Sequence, residues 1–181
     1  MAWTAPRTWT DGELVTAAIM NPHIRDNQLA MGPHLIVRKT IDESVTSSTA
    51  FQADDVLTLP VSANEVWQWE LFLLATSDSA ADIKLRWTFP AGGTFSAQSN
   101  NSSGADVVQR VGWATTTSPA VEWTGTANFN TSTVASMIIV QGIYVNGGTG
   151  GNMALEWAQA ASSGTPTVVK ANSTLWAVKL A

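Results

Sequence analysis

A chain of 181 residues, 45% hydrophobic and 13% charged, is long enough for one domain with a substantial core plus a short appendage, and too short for a second full domain. Its formal net charge of -5 gives no basic footprint for a phosphate backbone, which argues against nucleic acid as a partner. Having no cysteine excludes disulfides, thiolate-bound zinc and thiol catalysis together, and Ser, Thr, Asn, Gln and Gly make up a polar, weakly charged surface.

The first stretch, residues 3–10, holds Trp3 and Trp9 in a segment too small to bury either, so their cover must come from elsewhere in the protein or from a partner. From Asp11 the pattern turns helical. Thr10 or Asp11 can cap a helix, Glu13 sits in its first turn, and Leu14, Ala17, Ala18 and Ile24 permit an apolar stripe. Pro22 would remove a hydrogen bond and crowd the preceding turn, so the reading is a short helix to about Asn21, a new turn from Pro22, and a stop at Gly32-Pro33.

From Leu35 the apolar period changes to two, and strands are expected at 35–41, 56–59, 65–76, 83–89, 107–113, 121–124, 134–145, 153–161, 167–169 and 174–180. The clearest alternation is Glu65-Val66-Trp67-Gln68-Trp69-Glu70-Leu71, with both Trp residues on one face. Residues 83–87 and 154–159 alternate in the same way, with charged residues in the outward phase. This number of short strands implies a mainly β fold, an antiparallel β-sandwich of residues 35–181 preceded by an arm and short helix at 1–34. Residues 97–105, AQSNNSSGA, read as a flexible loop. The glycine-rich run 145–153 reads as a hairpin turn; it is followed by a strand and lacks the lysine and Ser/Thr of a phosphate-binding loop.

Catalytic constellations are sparse. His23 and His34 lie outside the strands and do not have the one-turn spacing of a zinc helix. Asp42-Glu43 and Asp54-Asp55 lack the ligand alternation of a calcium loop and read as solvated turn carboxylates. No serine sits in a nucleophile elbow. Among strand carboxylates Glu70, Glu122 and Glu156 stand out, with nothing to pair them for glycoside hydrolysis. The expectation is a non-enzymatic protein with no cofactor and no metal. There is no apolar run of membrane-spanning length and no basic-then-apolar leader, so neither a membrane partner nor host secretion is expected.

The run WTDGELVTAAIMNPHIRDN, residues 9–27, resembles an N-terminal motif of tailed-bacteriophage structural proteins, departing from it at Pro22, where threonine or a similar residue is usual. The domain that follows more loosely resembles trimeric jelly-roll modules of the tumour-necrosis-factor and C1q type, and residues 150–180 look like their closing hairpin pair. These resemblances imply a homotrimeric virion structural protein: a capsid decoration or head-fibre protein on the phage capsid surface, whose partner is the major capsid protein. The alternative is a minor tail, baseplate or receptor-binding protein, located on the phage tail with tail proteins as partners and contacting host glycans. On this reading the docking residues are Trp3, Arg7, Trp9, Leu14, Asn21, His23, Ile24, Arg25, Asp26 and Asn27. Trp3 and Trp9 serve as apolar anchors, Arg7 and Arg25 seek acidic or carbonyl groups, and Asn21, His23, Asp26 and Asn27 fix the helical segment. Trp113 and Trp123 are the candidate ligand-facing residues for a glycan, since an indole face suits a sugar ring.

Overall fold

The computed structural model describes residues 4–30, 34–103, 107–116, 120–122 and 133–181, of which 29–30, 100–103, 107–116 and 120–122 are described by backbone. The chain divides into two compact units, Met1–His34 and Leu35–Ala181.

In the first unit the helix begins later than its sequence pattern suggests. Thr10 and Glu13 do meet, through Glu13 N–H to Thr10 O at 3.1 Å and Thr10 N–H to the Glu13 carboxylate at 3.3 Å. Between them Gly12 takes φ +74°, so the pair closes a turn instead of starting a helix. Helix α1 covers Ala17–Met20 behind Thr16, whose extended backbone makes it the N-cap although its side chain makes no capping bond. Pro22 does not break the segment. A wide five-residue turn, Asn21–Arg25, carries the helical path into α2, Asp26–Ala30, with Asp26 N–H donating to Asn21 O. Proline has no N–H to donate, and near the start of the wider turn that missing donor interrupts little. The expected stop at Gly32-Pro33 lies outside the described residues.

The second unit is an antiparallel jelly-roll β-sandwich. Its strands are β1 (His34–Arg38), β2 (Glu43–Val45), β3 (Gln52–Val61), β4 (Val66–Thr76), β5 (Ile83–Thr88), β6 (Thr94–Ser103), β7 (Val107–Thr116), β8 (Ala120–Glu122), β9 (Ser136–Val145), β10 (Gly151–Gln159), β11 (Thr167–Val169) and β12 (Thr174–Lys179). The larger sheet has the order β1-β12-β4-β9-β6-β7, with β11 alongside β4 and pairing β2; the smaller has the order β3-β10-β5-β8. From β3 to β5, and again from β8 through β10 to β11, successive strands change sheet. The β6-β7 hairpin widens the larger one.

Alternation places the core where the sequence points. Along β4, Trp67, Trp69, Leu71, Leu73 and Ala75 are buried; along β5 it is Ile83, Leu85 and Trp87; along β10 it is Met153, Leu155 and Trp157, with Ala158 also buried. Trp69 of the larger sheet meets Trp87 of the smaller at 4.7 Å between ring centroids, and Phe95 stacks on Trp69 at 5.3 Å. Phe89 continues the row, 5.1 Å from Phe95 and 5.2 Å from Tyr144. The indole N–H groups of Trp69, Trp87 and Trp157 are buried with no acceptor among the described residues. Each forgoes about 1–3 kcal/mol of hydrogen bonding, offset by ring burial of larger size.

Three loop readings change. Residues 97–103 belong to strand β6, not to a flexible loop: β6 pairs β7 on one side and β9 on the other, with Phe95, Ala97 and Ser99 buried in alternation. The glycine-rich run after β9 is no hairpin, because β9 lies in the larger sheet and β10 in the smaller; it is a crossover between sheets. Buried Asn146 holds that crossover by donating to Ser62 O at 2.6 Å and Thr149 O at 2.9 Å and accepting from Tyr144 OH at 2.7 Å. Likewise β10 and β12 do not form a closing hairpin pair, since they sit in opposite sheets.

Candidate functional site

The docking residues named from the sequence gather into two small clusters within the first unit. In one, the Arg7 guanidinium pairs with the Glu13 carboxylate and lies 5.0 Å over the Trp9 ring. Arg7 therefore has a partner within its own unit, and its cation also lies against the ring of Trp9. In the other, Asn27 is the buried member. Its Oδ1 accepts from Thr4 N–H at 2.8 Å, and its Nδ2 donates to Thr4 O at 2.9 Å and to His23 O at 3.2 Å. A side-chain amide is matched to this task because it offers a donor and an acceptor side by side, which engage both backbone groups of one residue.

The other named residues take simpler positions. Arg25 donates to its neighbour Asp26 at 2.8 Å on the surface, and this bond raises the guanidinium pKa. His23 Nδ1 is buried without a partner among the described residues. Asn21 contributes its backbone carbonyl to the wide turn. Trp9, Leu14 and Ile24 are exposed, Leu14 most fully at 79%, and Val15 and Met20, which the sequence reading did not single out, join them. Trp3 and Trp123 lie outside the described residues; Trp113 is on β7, described by backbone only.

A second feature lies on the outer face of the larger sheet. A groove of about 400 Å³ is lined by Trp176 of β12, Gln68 and Glu70 of β4, Gln141 and Ile143 of β9 and Gln98 of β6. Cross-strand register produces the arrangement, with Trp176 opposite Glu70, Glu70 opposite Gln141, and Gln141 opposite Gln98. At its floor a Cβ on Gly142 would lie 2.3 Å from Ser96 O, so only glycine lets β6 approach β9 this closely. Trp176 was missed in the sequence, although its phase in β12, between buried Leu175 and Ala177, marks it as outward. The strand carboxylates do not converge here. Glu70 is on the larger sheet, while Glu156 and Glu122 are on the smaller, where both are opposite Arg86 in register and Glu156 is ion-paired to it.

Asp54 departs most from expectation. It is 3% exposed instead of solvated, and its Oδ2 lies 2.9 Å from Nζ of Lys39, itself 1% exposed. Glu43 also accepts from that ammonium, at 2.5 Å. Burial disfavours the Lys39 ammonium, but the bonds to Glu43 and Asp54 outweigh it and leave the pKa raised. Among the described residues no group of three or more His, Cys, Asp or Glu is placed to hold a metal, and no helix is long and apolar enough to cross a membrane.

No family model matches the chain, and no curated protein matches it. Among solved structures, it is similar to the structure of Eiger TNF from S. frugiperda, at 13% identity and a TM-score of 0.35, covering 82% of this chain and 94% of that one. It is also similar to the VP2 subviral particle of infectious bursal disease virus, at 12% identity and a TM-score of 0.21 over 81% of this chain and 40% of that one. The Gx strain structure of the same virus aligns at 8% identity and a TM-score of 0.21, covering 81% of this chain and 38% of that chain.

Proposed function

We propose that this chain is a non-enzymatic phage virion structural protein, a homotrimeric capsid decoration or head-fibre protein whose first unit docks on the shell and whose sandwich is displayed. The observation that carries the reading is the exposure of Trp9, Leu14, Val15, Met20 and Ile24 on one small unit whose path is already fixed by Asn27 and by the Arg7-Glu13 pair. A monomeric soluble unit gains nothing from leaving five large apolar side chains in water, whereas a docking element held in one conformation loses little entropy when it binds. Three such arms in a trimer would turn individually weak contacts into a durable attachment.

Imaging intact particles at a resolution that traces residues 4–30 tests this. Many symmetry-related copies on the capsid, each with Trp9 and Leu14 against the shell, are expected; absence of the chain from particles would overturn the reading. Deleting residues 1–34 should leave a folded trimer that no longer joins particles, and a monomeric product would refute the division of labour. The groove beside Trp176 favours a second reading, a tail or receptor-binding protein, because an indole flanked by Gln68, Glu70, Gln98 and Gln141 offers the ring face and polar hydrogen-bonding groups that glycans engage. A few copies at the tail tip, with glycan binding lost in Trp176→Ala, would establish it.

A further inference from the structure

The group of buried Lys39 and Asp54 with partly exposed Glu43 has no part in docking or in the groove. Backbone geometry fixes the lysine: Lys39 N–H donates to Ser173 O and Lys39 O accepts from Asn172 N–H, both at 2.8 Å, so it continues β1 alongside the turn leading into β12 in the larger sheet. Asp54 lies in β3 of the smaller sheet, where the register against β10 slips between the pairs Ala53–Glu156 and Thr58–Ala154. That irregularity turns two backbone N–H groups onto a single carboxylate oxygen: Val56 N–H and Leu57 N–H reach Asp54 Oδ1 at 3.0 and 2.8 Å. The other oxygen, Oδ2, faces Lys39 Nζ at 2.9 Å. Glu43 touches the same Nζ through Oε2, and its Oε1 is held by Gln52 Nε2 at 3.0 Å.

We propose that Lys39 and Asp54 condense to an intramolecular isopeptide bond that staples the two sheets together, with Glu43 as the proton relay. The parts match what amide formation needs. The amine and the carboxylate are held in contact, with Nζ 2.9 Å from Oδ2, which replaces a bimolecular encounter by an intramolecular one. The Val56 and Leu57 N–H groups are already aimed at the oxygen that carries negative charge in the tetrahedral intermediate. Glu43 is within hydrogen-bond reach of the nitrogen that must lose protons. Holding an ammonium and a carboxylate away from water carries a desolvation cost, and a covalent amide removes both charges from the interior.

The step balances without any co-reactant. The bonded ion pair starts as ammonium and carboxylate. One proton passes from Nζ through Glu43 to Asp54 Oδ2, and the neutral amine attacks Cγ. The C–N bond forms and charge collects on Oδ1 under the two backbone N–H groups. A second proton moves from nitrogen through Glu43 to the same Oδ2, the C–Oδ2 bond breaks, and one water departs. Glu43 ends ionised, as it began, facing the new amide N–H.

The test is the intact mass of the denatured full-length chain, purified folded, followed by digestion with two proteases and fragment sequencing. The expected result is a chain lighter by one water, with a branched fragment joining residues 39 and 54. A chain at full sequence mass overturns the proposal, as does a water loss that maps to Asp11-Gly12, where succinimide formation gives the same mass. Lys39→Arg preserves the ion pair but cannot form this bond, and it should return the full mass in a protein that still melts cooperatively. Glu43→Gln should also return the full mass while folded; a branched fragment in that variant would overturn the relay role of Glu43.

Discussion

The two units use tryptophan in opposite ways. In the sandwich, Trp69 and Trp87 are sealed between sheets at the cost of unbonded indole N–H groups, whereas in the first unit Trp9 remains 43% exposed with a cation lying across its ring. The sandwich holds its shape by filling volume. The first unit has little volume to fill and is held instead by a few directed polar bonds, so its conformation depends on individual atoms where the sandwich depends on sums of area.

The contrast can be tested most severely at Trp87. Trp87→Ala removes the ring that joins the two sheets, and a loss of about 3–5 kcal/mol is expected in denaturant unfolding; a loss near zero would mean that the aromatic row is not what binds the sheets. Asn27→Ala should act locally. Hydrogen exchange at the Thr4 amide should lose about 1–3 kcal/mol of protection while the melting of the sandwich stays unchanged, and a shift in both would show that the units are not separable in stability.

Glu65 sharpens the comparison through pH. Burial opposes its ionisation, but bonds from Lys179, the Ser62 N–H and the Trp67 indole lower its pKa from 4.5 to about 2. A depressed folded pKa contributes stability that is fully present above pH 4.5 and is lost as pH falls toward 2, so acid weakens the sandwich through this carboxylate. Glu65→Gln should make stability flatter over that interval in acid titrations followed by tryptophan fluorescence. The smallest effect on stability is expected at Trp9: Trp9→Ala should change unfolding by no more than about 0.5 kcal/mol, yet it should reduce incorporation into particles. Unchanged incorporation would remove Trp9 from the docking surface.

Strands with one face in the core were legible wherever the side chains themselves alternate, as in β4, β5 and β10. Strand β6 was hidden because Ser96, Gln98, Asn100 and Asn101 give it the composition of a loop, and its identity comes from pairing with β7, the other arm of its hairpin, and with β9, which is distant in sequence. The crossover after β9 failed for a related reason: Gly and Asn announce a reversal of direction but not which sheet the next strand joins. In the first unit, Thr10 and Glu13 meet as their spacing suggests, and Gly12 decides that the result is a turn. The Lys39-Asp54 contact had no local signature at all, because a carboxylate beside another carboxylate in a polar run looks solvated until the opposite sheet closes over it.

The strand order also governs when the molecule can become itself. Strand β1 has β12 as its neighbour, and β12 fills the place between β1 and β4. As the chain leaves a ribosome, β1 has nowhere to settle until the last strand has been made, and β4 waits with one edge unpaired. Folding of the sandwich should therefore be a late, concerted and slow event on the scale of mostly non-local β proteins, and a ribosome stalled before Thr174 would hold a chain with an open edge ready to pair with a neighbour.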